Sequence, residues 1–88
     1  MFHLVLSGRF KKKLRDFLRA RPELREIVRE KLTILQENPH NPRLKTHKLT
    51  GKLKGFYAAS ITYEHRLVFY AEGNLIFLLA LGTHDEVY

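Results

Sequence analysis

Apolar positions divide this chain into a helical part and a strand-like part. Phe2-His3-Leu4-Val5-Leu6 reads as a short strand and stops at Ser7, a side chain suited to capping a helix. Phe10, Leu14, Phe17 and Leu18 then recur at i, i+4, i+7 and i+8, which predicts an amphipathic helix to about Ala20. Arg21-Pro22 interrupts it. Pro22 fits the first turn of a second helix, where a backbone N–H would have had no partner in any case. Leu24, Ile27, Val28, Leu32 and Leu35 line that helix, which is expected to end near Asn38-Pro39. Together the two make a helical hairpin with one apolar seam and a very basic outside.

The period then changes. Residues 39–54 hold two prolines and five cations without apolar periodicity, and read as a loop or irregular crossover. Strand-like runs follow at about 55–62, 65–71 and 74–81, with Glu72-Gly73-Asn74 as a hairpin turn between the last two. Leu75 to Leu81 is apolar without alternation, as expected of a central strand covered on both sides or shielded by the helices. The order β-α-α-β-β-β predicts an α+β fold, a helical hairpin packed on one face of a mostly antiparallel four-stranded sheet. Eighty-eight residues suit a single domain, 1–88, with a two-layer core and no deep enclosed pocket.

Charge sharpens the division. Residues 1–54 contain fifteen Lys or Arg against five acids, whereas residues 55–88 contain Arg66 alone against four, within a formal net charge of +7. A basic helical and crossover surface beside a nearly neutral sheet suits a polyanion or an acidic protein segment, although solubility alone also accounts for it. There is no cysteine, which fits a reducing compartment. No apolar stretch is long enough to span a bilayer and no leader is read at the N-terminus, so a soluble, cytoplasmic protein without a membrane partner is expected.

Candidate chemistry gathers late in the chain. Glu64-His65-Arg66 stands where one strand-like run gives way to the next, and His84 lies just past the end of the third. If Leu67 and Phe69 meet the helices, Arg66 projects onto the open face of the sheet. His47 arrives from the basic crossover. Imidazole moves protons near neutral pH, and guanidinium keeps its charge while meeting two phosphate oxygens. A zinc site from His47, His65 and His84 lacks any tight ligand spacing.

At these residues the sequence resembles the RelE/ParE superfamily of bacterial type II toxins, small ribosome-dependent mRNA endonucleases and their relatives, and above all the YafQ and YoeB branches. Leu44-Lys45-Thr46-His47-Lys48-Leu49-Thr50-Gly51, followed by Lys54-Gly55-Phe56, is similar to the YafQ stretch that carries a catalytic His. Thr62-Tyr63-Glu64-His65-Arg66-Leu67-Val68 resembles the YoeB stretch whose Arg faces the scissile phosphate. Gly82-Thr83-His84 resembles the YafQ terminus, with Tyr88 as the aromatic four residues on. Two positions depart from these patterns. Ser60 stands where YafQ toxins place a further active-site His, and Arg43 stands near where YoeB toxins place a Glu base.

The resemblance implies a toxin that cleaves mRNA on the ribosome by metal-independent attack of the 2′-hydroxyl. His84 would be the leading acid–base residue and His47 its complement. Arg66 would stabilise the phosphate, with Glu64 as a base or an orienting group. Tyr88 would stack on a base, and Lys48, Lys52 and Lys54 would hold the RNA backbone. No cofactor or metal is implied. The implied partners are a cognate antitoxin, the ribosome with its mRNA, and operator DNA indirectly through the antitoxin complex. The superfamily also contains ParE-like toxins that inhibit DNA gyrase by binding, which leaves a second function open, and an inactive co-repressor is a third.

Overall fold

A computed structural model describes residues 1–88. Ser7 caps the first helix as expected: its hydroxyl accepts from the Phe10 amide at 3.1 Å, and α1 runs Gly8–Ala20. Pro22 opens a 3₁₀ turn, Pro22–Leu24, that leads into α2 (Arg25–Glu37). Asn38, just before Pro39, ends that helix in an extended conformation.

Five strands form one sheet. β1 (His3–Leu6), β2 (His47–Lys48), β3 (Tyr57–Ser60), β4 (His65–Glu72) and β5 (Leu75–Thr83) lie in the order β1-β5-β4-β3-β2. β1 runs parallel to β5, with His3 opposite Leu75 and Leu6 opposite Leu78, and every other pair is antiparallel. A four-residue helix, α3 (His84–Val87), follows β5 directly. The α+β architecture is the expected one, but the sheet has five strands where the pattern predicted four. The addition is β2, inside the stretch read as a crossover. Two residues at a sheet edge are too few for periodicity; tertiary pairing of His47 with Ala58 and Lys48 with Tyr57 makes the strand.

The core lies between helices and sheet. Phe10, Leu35, Phe69 and Ile76 are each 1% exposed or less, and Leu67 and Leu78 join them. Because Leu67 and Phe69 face the helices, Arg66 and Tyr70 stand on the opposite face. β5 is central in order, yet the helices cover only one of its faces. Phe77 stacks on Tyr70 on the other, ring centroids 4.6 Å apart and planes 8° off parallel. Phe56 packs there too, 5.8 Å from Tyr70. A bulge adds to the loss of alternation. Val68 pairs with Ala80 but Phe69 with Leu78, so Leu79 is the extra residue, and it is 39% exposed. No helix is long and apolar enough to cross a membrane.

Candidate active site at the start of β4 and the end of β5

The register brings the two ends together: His65 is opposite Thr83 and Arg66 opposite Gly82. The turn that feeds β4 is tightly organised. Thr62 Oγ1 accepts from the amides of Glu64 and His65, both at 3.2 Å, and lies 2.8 Å from His65 Nδ1. The Ile61 amide donates to the His65 carbonyl at 3.0 Å. His65 is buried, 7% exposed, with its ring edge-on to Phe17 at 5.0 Å. It is therefore the peg that fixes this turn to the core.

Arg66 is half-buried beside that turn. Its Nη1 donates to the carbonyls of Thr62 and Tyr63, each at 3.2 Å, and of His65 at 3.4 Å. No carboxylate pairs with it; the ion pairs of the molecule lie elsewhere or involve His84. Backbone oxygens thus hold one nitrogen, and the guanidinium's other donors have no protein partner.

His84 opens α3, which Thr83 caps reciprocally. The Thr83 amide donates to Glu86 Oε1 at 2.7 Å, and this bond holds the Glu86 carboxyl below its ordinary value of 4.5. Gly82 leaves room for the arrangement, since a Cβ there would lie 2.9 Å from Glu86 Oε1 and 3.1 Å from Glu86 Cβ. On His84 itself, Nδ1 lies 3.5 Å from Asp85 Oδ1. The Tyr88 ring packs edge-on to the imidazole, centroids 4.4 Å apart. Burial pushes the Tyr88 hydroxyl above its usual 10.0, and the nearby Arg66 charge opposes that rise.

An open cleft of about 390 Å³ results, lined by Tyr63, Glu64, Arg66, Thr83, His84 and Asp85. Three of the sequence candidates, Glu64, Arg66 and His84, thus share one cavity, and Tyr88 borders it through His84. His47 does not line it. It pairs with Ala58, which pairs with Val68, so it shares Arg66's face from two strands away. Strand spacing and rise put its Cα roughly 12 Å from that of Arg66. His84 approaches Arg66 from the β5 side and His47 from the β2 side. Lys48 and Lys54 line a second hollow of about 410 Å³ together with Phe56. Lys52 is exposed in the 3₁₀ turn Gly51–Leu53. Ser60 stands directly opposite Arg66 on β3, and Arg43 is paired with Glu30 of α2.

Sequence reasoning passed over Tyr63 and the Thr62 hydroxyl. A Thr just before a turn is a signal for local side-chain-to-backbone bonding, and it was legible in Thr62-Tyr63-Glu64-His65. No three His, Asp or Glu side chains cluster closely enough to hold a metal ion.

Comparison with known proteins bears on the family and the fold. The bacterial YafQ toxin family of type II toxin–antitoxin systems matches residues 2–88. No curated protein matches significantly. Among solved structures, a copper-bound mutant toxin from Helicobacter pylori is 28% identical over the whole of both chains, with a TM-score of 0.84. YafQ from E. coli is 21% identical over 100% of this chain and 99% of that one, at 0.82. A chain of the YoeB–YefM complex from Staphylococcus aureus is 24% identical over 96% and 98%, at 0.77. The last two likenesses carry the fold alone. With the family match spanning nearly every residue, the chain belongs to the YafQ family of bacterial toxins of type II toxin–antitoxin systems.

Proposed function

We propose that this toxin is an endoribonuclease that cleaves mRNA on the ribosome without a metal. One observation carries the reading: an unpaired, half-buried Arg66, ordered by three carbonyls, faces an open cleft that also holds His84 and Glu64. Such a guanidinium is prepared for a phosphate that gains charge as it is attacked.

The 2′-oxygen forms a bond to phosphorus and the bond to the 5′-oxygen breaks. The products are a cyclic phosphate and a free 5′-hydroxyl. The 2′ proton goes to a base and the 5′-oxygen takes one from an acid. His84 and His47, flanking Arg66 from opposite sides, are the pair proposed for these transfers, each supplying a factor of about 10²–10⁴. Glu64 serves as base or orienting group. Tyr88 stacks on a base beside His84. Lys48, Lys52 and Lys54 hold the RNA backbone, so cleavage weakens as salt rises. The cleft is shallow and cannot align RNA alone, hence the ribosome as part of the machinery. A cognate antitoxin is the natural partner for the basic helical surface, in keeping with the existence of a YoeB–YefM complex, and operator DNA is reached through the antitoxin.

The test is in-vitro translation of a defined mRNA with wild-type protein and His84→Ala, mapping new 5′ ends by primer extension. Ribosome-dependent cuts that disappear in the variant support the reading. Growth arrest by the wild type without any cuts overturns it in favour of a binding toxin such as a gyrase inhibitor.

A further inference from the structure

Tyr63 is 96% exposed, more than any other large apolar side chain, and it stands on the wall of the cleft that holds Arg66 and His84. Its ring has no folding role, because at this exposure it packs against nothing. Turn tips ordinarily take small polar residues, so a bare phenol ring there needs another reason. The backbone beneath it, by contrast, is pinned. Thr62 Oγ1 receives the amides of Glu64 and His65, and the Tyr63 carbonyl accepts from Arg66 Nη1 at 3.2 Å. The ring is therefore raised on a rigid support, tied directly to the guanidinium that would meet the phosphate.

Building on the nuclease reading, we infer that Tyr63 is a substrate-stacking residue, whose ring takes the face of a nucleobase flanking the scissile phosphate. Three features of the site agree. The ring is aromatic and solvent-accessible, so it offers a π-face that any base can use. Its support is already ordered, so stacking costs little backbone entropy. Tyr88 packs on His84, which lines the same cleft, so a second aromatic stands beside the site.

The experiment is single-turnover cleavage of mRNA on programmed ribosomes by Tyr63→Ala, Tyr63→Leu, Tyr63→Phe and Tyr63→Trp, with the melting temperature of each. The Ala and Leu variants are expected to lose about 5- to 150-fold in kcat/KM, the factor that one base–aromatic stack supplies. Phe and Trp are expected to stay within about threefold of wild type, because the π-face survives. All four should melt with the wild type. Ala cleaving at the wild-type rate overturns the stacking role and leaves the nuclease reading intact. So does a Leu variant as active as Phe, which would show that bulk alone matters. A wild type that cuts nothing removes both.

Discussion

Replacing Arg66 tests the site most directly. A guanidinium has five N–H donors, and here one nitrogen is occupied by the Thr62, Tyr63 and His65 carbonyls. The remaining nitrogens carry no hydrogen bond to the protein, and Arg66 lines the cleft. Arg66→Ala removes both functions. The His65 carbonyl still receives the Ile61 amide, and the other two lie beside solvent in an exposed turn. Stability should therefore fall by only about 1.5–3 kcal/mol, the range for a hydrogen bond to a charged group. Cleavage should fall further, by about 10²–10³, as when one oxyanion donor is removed. Arg66→Lys separates the two. Its ammonium has three donors on a flexible stem and cannot hold the turn and grip a phosphate together. We expect Lys to retain most of the stability and to lose at least about tenfold in rate. The assay is single-turnover cleavage on programmed ribosomes, paired with urea unfolding of the same samples. Wild-type rates with Arg66→Lys would refute the argument, since a point charge would then suffice.

Three further outcomes follow from the geometry. The Glu86 carboxyl is depressed in the folded state, so its contribution is present above about pH 4.5 and lost as pH falls through the lower folded value; Glu86→Gln should remove that acid step from a plot of stability against pH. Gly82→Ala would force the Glu86 side chain away, break the reciprocal cap, cost about 0.5–2 kcal/mol and reduce cleavage by displacing His84; calorimetry and the cleavage assay check both. Phe69→Ala should cost about 3–5 kcal/mol in urea unfolding, whereas Leu79→Ser on the exposed bulge should stay within about 0.5 kcal/mol.

Much of the frame was legible because it rests on periodicity. The Ser7 cap, both helix faces and the pairing of β4 with β5 follow from spacing and turn residues alone. β2 was not, because a two-residue edge strand exists only through its partner. Nor was the bulge at Leu79, whose apolar character matches its neighbours; one inserted residue changes which side a leucine faces without altering composition. At the site, the chain order placed Glu64, Arg66 and His84 at neighbouring strand ends. The grip of Arg66 on three carbonyls was hidden, since backbone acceptors carry no residue code. Arg66 could have been read as a partner for Glu64 or Glu72, yet it pairs with neither. His65 shows the converse. In sequence it belongs to the same acid–base cluster, but burial against Phe17 gives it a supporting part.

The parallel pairing of β1 with β5 bears on how the chain is made. His3 must wait for Leu75, and Leu6 for Leu78, before the first strand has any partner in the sheet. Contacts so distant in sequence are slow to form, and here they are impossible until β5 has been synthesised. The Arg66 and His84 ends lie in the same late segment. A nascent chain still inside its ribosome therefore carries the helices and their positive charge, but neither a closed sheet nor an assembled cleft. The cleft is thus among the last parts of the fold to assemble, after the helices and their charge are already in place.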